Sequence, residues 1–188
     1  MIISIVSLWL PIVLASVLVF IVSSLLHTVL NWHKNDYRRV PDENAALSAL
    51  APLEIPPGDY VLPYMSSKED WQSEEFKAKL ERGPVVFATF VDGRSVLSMG
   101  PQLTQWFAYT LLVGVVAAYV AGRTLGAGAD YLEVFRLTGT VAFACYAMAM
   151  PQRSIWYHQN WPATLRSMAD GFLYALLTAG AFGWLWPA

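Results

Sequence analysis

The sequence predicts a mainly α integral membrane protein. The expected form is a four-helix transmembrane bundle, with a small α+β insertion between helices 1 and 2. Three observations carry this. Four apolar stretches are each long enough to cross a bilayer, seven of the eight tryptophans fall at or near the ends of those stretches, and one polar segment separates the first stretch from the other three. The chain has 188 residues, 56% hydrophobic and only 14% charged, where soluble proteins average about 25% charged. That hydrophobicity is gathered in blocks, as a bilayer demands of a chain that crosses it.

A helix needs about 20 mainly apolar residues to cross a hydrocarbon core of roughly 30 Å. Residues 8–30 form the first such stretch, and His27 is its one ionisable side chain. No Lys or Arg precedes it, its apolar run is longer than a signal-peptide core, and no small-residue cleavage site follows. It therefore reads as a retained anchor. The second stretch covers residues 103–121, and the third covers 132–150 with Glu133 and Arg136 at its start. The fourth covers residues 169–186. Trp9, Trp32, Trp106, Trp156, Trp161, Trp184 and Trp186 mark the ends, where indole's apolar body and polar N–H suit the headgroup zone. The implied division is helix 1 in residues 1–31, a polar unit in 32–100, and helices 2–4 in 101–188.

Lys34, Arg38 and Arg39 follow the first stretch, Arg153 and Arg166 lie between the third and fourth, and Arg123 stands alone between the second and third. Positively charged loops stay in the cytoplasm. This bias puts both termini outside and residues 32–100 in the cytoplasm. The partners it implies are the lipid bilayer and either a membrane-protein partner or a homo-oligomer. A net charge of −2 gives no reason to expect nucleic-acid binding.

The polar segment has elements of its own. Pro41-Asp42-Glu43 opens a short helix to about Leu50, with acidic residues at its positive end. Pro56-Pro57-Gly58-Asp59 is a turn signal, and residues 60–64 read as a strand that Pro63 confines to an edge. Residues 67–82 read as one charged helix ended by Gly83-Pro84. Asp92-Gly93, between two β-prone runs, predicts a hairpin.

Small residues at four-residue spacing let membrane helices approach closely. Gly114, Ala118 and Gly122 form such a ridge on the second stretch, as do Gly171, Ala175, Ala179 and Gly183 on the fourth. These predict a compact bundle, with a homodimer face as the alternative.

Ionisable groups inside a span are costly and often functional, so His27 is the first candidate for chemistry. His33 and Asp36 are three apart, and share a face if the helix continues past Trp32. The pair can bind a metal, or the carboxylate can orient the imidazole. His158 falls on the same side of the predicted membrane. His27, His33, Asp36 and His158 are thus the candidate ligands for a metal ion. Against that stands a solvated interfacial cluster, which the sequence favours, since His27 and His33 are six apart and lie about 120° apart on a continuous helix. Cys145 and Met148 share a face of the third stretch, and read as packing rather than as a copper site. Glu133 with Arg136, and Arg166 with Asp170, read as local ion pairs. The sequence contains no Gly-rich phosphate loop, G-x-S-x-G or H-E-x-x-H.

Trp32-His33-Lys34-Asn35-Asp36-Tyr37, Pro56-Pro57-Gly58-Asp59-Tyr60 and Ser154-Ile155-Trp156-Tyr157 resemble segments of a family of small uncharacterised bacterial inner-membrane proteins. The resemblance implies a bacterial membrane setting and brings no activity, cofactor or site residue. The expected function is therefore a non-catalytic accessory or assembly protein acting through its polar domain, with no enzyme activity or cofactor implied. A metal-binding or redox membrane protein using the histidines is one alternative, and a small transporter is the other.

Overall fold

The computed structural model describes residues 3–188. Its helices in chain order are α1 (Trp9–Thr28), α2 (Glu43–Leu50), α3 (Lys68–Gln72), α4 (Glu74–Arg82), α5 (Gly93–Leu97), α6 (Gly100–Thr124), α7 (Tyr131–Tyr146), α8 (Pro151–Tyr157) and α9 (Trp161–Trp184). Two strands, β1 (Gly58–Leu62) and β2 (Val86–Phe90), pair antiparallel. The chain is mainly helical and separates into two compact units, one of Met1–Arg38 with Gly100–Ala188 and one of Arg39–Met99.

In the helical unit α1 packs against α6 and α9, and α7 packs against the same two helices. Leu8, Ile12, Ala117, Ala118, Val134 and Phe182 are buried together at one level, and Val19, Leu26, Val113, Ala142, Tyr146 and Tyr174 at another. The small ridges make this contact possible. A Cβ on Gly114 would lie 3.1 Å from Ile12 Cγ2, and one on Gly122 would lie 2.9 Å from the Ile3 carbonyl oxygen. On α9, a Cβ on Gly171 would meet Ala147 Cβ at 3.0 Å, and one on Gly183 would meet the Tyr131 ring at 2.7 Å. Both ridges are thus filled from within the chain.

Three helical segments, Ile5–Thr28, Gly100–Thr124 and Tyr131–Tyr157, are long and apolar enough to cross a membrane. The third contains a break after Tyr146, where four turn residues precede Pro151 in the first turn of α8. Proline has no N–H to donate and is tolerated at such a start. The fourth predicted span falls on α9, which carries Arg166 and Asp170 in its N-terminal half. Its apolar remainder, residues 171–184, is shorter than the about 20 residues a bilayer core requires.

In the second unit, Asp42 caps α2 by accepting from the Ala45 amide. The helix expected over 67–82 is two helices, because Ser73 leaves helical geometry (ψ 142°) and caps α4 through the Phe76 amide. Ser67 and Asp70 form a reciprocal capping box at the start of α3. The expected Asp92-Gly93 hairpin is absent. Asp92 is the N-cap of α5, accepting from the Arg94 amide, and β2 pairs instead with β1 in the register Tyr60↔Ala88 and Leu62↔Val86. Asp suits a helix cap as well as a turn, and here the cap prevails.

No residue of this unit is fully buried. Tyr60, Leu62, Val86, Ala88 and Phe90 share one face of the two-stranded sheet, because side chains alternate along a strand. Leu62 is 57% exposed on that face.

Candidate functional site

The site lies where the first helix ends. Helix α1 stops at Thr28, and Leu30 adopts extended backbone (φ −88°, ψ 125°), so the condition of a helix running past Trp32 is not met. A 3-10 turn over Asn31–His33 follows instead, and the Asp36 amide donates to the His33 carbonyl at 3.0 Å. This reversal lays the His33 ring on the His27 ring, with centroids 4.4 Å apart and planes 10° from parallel. Two residues that would lie about 120° apart on a continuous helix are thereby in contact.

Helix α9 supplies the other half. Arg166 and Asp170 are four apart, so they occupy one face one turn apart. They do not serve each other as the expected local pair. Arg166 Nε donates to Asp36 Oδ1 at 2.7 Å, and Asp170 Oδ2 lies 2.7 Å from His33 Nε2. His33 Nδ1 lies 2.6 Å from Asp36 Oδ2. The order is therefore Asp170, His33, Asp36, Arg166, alternating anion and cation. The Asp170 side chain is only 5% exposed, and such a carboxylate is tolerable because it is paired.

Partial burial draws the His33 pKa down, but the hydrogen bonds and charges of Asp36 and Asp170 outweigh it and hold the imidazolium above its ordinary 6.5. For Asp36 partial burial pushes up, and the bonds to His33 and Arg166 outweigh it, so its carboxyl sits below the ordinary 3.8.

His27 Nδ1 lies 2.9 Å from the Ser23 carbonyl oxygen. A carbonyl can only accept, so Nδ1 carries the proton and Nε2 the lone pair in the neutral ring. The buried Ser23 is itself held from the side, since Trp106 Nε1 donates to its Oγ at 2.9 Å. Trp106 packs among Tyr109, Tyr146 and Tyr174.

Of the four residues singled out in the sequence, the structure brings His27, His33 and Asp36 together. Glu133 and Arg136 form no ion pair among the described residues. His158 is the left-handed cap of α8 (φ 54°) and is not one of the three grouped ligand candidates. It lines an open cleft of about 470 Å³ with Asp36, Tyr37, Arg38, Gln159 and Asn160. Its place beside His33 is taken by Asp170. His27, His33 and Asp170 each offer one ligand atom, all within 4.8 Å of one another. The available signal for Asp170 was its position, a carboxylate near the predicted start of a span on the same side as His33. Comparison with known proteins finds no matching family model, no matching curated protein and no matching solved structure.

Proposed function

We propose that this chain is a non-catalytic accessory protein of a bacterial inner membrane, anchored by four spanning helices and acting through its Arg39–Met99 unit, which docks on a protein partner. The observation that carries this reading is the composition of that unit's surface. It buries no side chain fully, and it presents an apolar sheet face of Tyr60, Leu62, Val86, Ala88 and Phe90. A unit of this size sits at the lower limit of self-sufficiency, and one without a buried core is stabilised by whatever covers it. Among the described residues β1 and β2 each pair on one side only, which leaves each with an open edge.

Helix α9 as the fourth span is supported by Trp161 and Trp184 at its ends and by its packing along α1 and α7. Its charged side chains are matched by His33 and Asp36, which lowers the cost of placing them near a bilayer. The Lys and Arg bias supports a cytoplasmic polar unit and external termini. In a Cys145→Ser background, impermeant maleimide on intact cells should label Ala127→Cys and spare Tyr64→Cys. The reverse pattern contradicts this orientation.

The docking claim is tested by purification in mild detergent from native membranes. A stoichiometric partner should accompany the wild type and be lost from the Leu62→Glu/Val86→Glu variant, with the helical unit intact. Recovery of this chain alone contradicts the claim, as does a partner that the variant retains.

A further inference from the structure

The docking reading leaves the histidine cluster unused. We propose that His27, His33 and Asp170 bind one divalent transition-metal ion, with His27 Nε2, His33 Nε2 and Asp170 Oδ2 as its ligands. His33 sits at the centre of the cluster. When its Nδ1–H donates to Asp36, a neutral ring carries its lone pair on Nε2, and that lone pair faces a carboxylate oxygen at 2.7 Å. Two lone pairs repel at that distance, so a positive centre belongs between them. In the metal-free protein that centre is a proton. A metal ion takes the proton's place once the two atoms part to accommodate its bond lengths, and the proton is released to solvent.

Both histidines are prepared for this. Each holds Nδ1 against an acceptor, the Ser23 carbonyl for His27 and the Asp36 carboxylate for His33, and this fixes which nitrogen is free to ligate. Asp36 is fixed in turn by Arg166. This carboxylate–histidine arrangement, backed by a guanidinium, is a common support of bound metal and exceeds what a solvated surface cluster needs.

Two imidazole nitrogens and one carboxylate oxygen select the class of ion. Imidazole suits zinc, iron, copper and nickel, whereas magnesium and calcium take oxygen ligands. Three protein ligands leave at least one position open, as in sites where water or a further ligand completes the shell. Bonds of roughly 2.0–2.2 Å place ligand atoms of one metal no more than about 4.3 Å apart. The three residues each bring a ligand atom to within 4.8 Å of the others, and the His33 Nε2–Asp170 Oδ2 pair at 2.7 Å must open by roughly 0.7 Å to the ~3.4 Å spacing of two ligands on one tetrahedral ion, so binding needs small side-chain movements in both directions. The near-parallel rings must tilt so that both Nε2 atoms aim at one point. His27 is solvent-exposed and has room to do so.

The test is titration of Zn2+ into the purified full-length protein, stripped of metal and in detergent, followed by calorimetry and elemental analysis. One Zn2+ per chain is expected. His27→Ala alters an exposed residue and should keep the fold, yet it should weaken binding at least 10-fold. Asp36→Asn should weaken it by 10–100-fold with the stoichiometry unchanged. His158→Ala should bind as the wild type does. Co2+ in place of Zn2+ should give a visible absorption band that His27→Ala abolishes. Absence of stoichiometric Zn2+, or a His27→Ala variant that binds as tightly as the wild type, overturns the proposal.

Discussion

The helical unit and the Arg39–Met99 unit use apolar side chains in opposite ways. The first turns Phe182, Val19 and Ala117 inward to complete burial, and its glycines let helices meet at contact distances a Cβ would prevent. The second has comparable apolar residues in Leu62, Val86 and Leu97 and leaves all three exposed. Local signals hold its shape: the capping box at Ser67, the N-caps at Asp42, Ser73 and Asp92, and a single strand pair. Packing thus fixes one unit, and capping and pairing fix the other. The second arrangement leaves an apolar face available.

Substitutions in the two units should therefore differ in cost. The largest effect is expected from Phe182→Ala, which should destabilise the helical unit by about 3–5 kcal/mol in denaturant unfolding, as full burial of an aromatic ring implies. Leu97→Ala, at 88% exposure, should change stability by less than about 0.5 kcal/mol. Equal losses would contradict the distinction. Gly171→Val should cost about 1–3 kcal/mol, because its side chain enters the space of Ala147 and the Tyr146 backbone. Ser73→Ala removes the cap of α4 and should cost about 1 kcal/mol. Hydrogen exchange should register that loss in α4 and leave α6 unchanged.

The pH dependence of the metal-free protein tests the polar network at the end of α1. His33 has a raised folded pKa, so its stabilising contribution is full below 6.5 and is lost as pH rises through the folded value. Asp36 has a lowered folded pKa, so its contribution is full above 3.8 and is lost as pH falls through the folded value. The gap in melting temperature between the wild type and His33→Ala should therefore be widest near pH 5–6 and narrow in the alkaline direction. A gap that widens toward alkaline pH contradicts the ion pairing.

Much of the helical unit was legible because membrane crossing is a constraint of length and composition. Three of the expected spans lie on helices that meet it. Helix α9 was harder to read, because Arg166 and Asp170 lie within it and their partners stand far away in the chain. The small ridges were also visible, and the structure fills them from within. Elsewhere local signals were ambiguous. Asp92-Gly93 serves a hairpin or a cap equally well, and Ser73 looks like an ordinary helical residue until its hydroxyl is seen to cap α4. The candidate site was half visible. His33 with Asp36 is a local spacing, but the bonds from Asp170 to His33 and from Arg166 to Asp36 join residues more than a hundred positions apart. No periodicity records such a contact, and the pairing of Arg166 with Asp170 four residues on is the simpler local expectation.

The helical unit is complete in itself, and the Arg39–Met99 unit is not. Hydrogen–deuterium exchange of the full chain in detergent tests this most directly. Amides of α1, α6, α7 and α9 should exchange slowly, and those of β1, β2 and α5 several orders of magnitude faster. Exchange in β1 and β2 as slow as in α6 would show a self-sufficient polar unit and contradict the account.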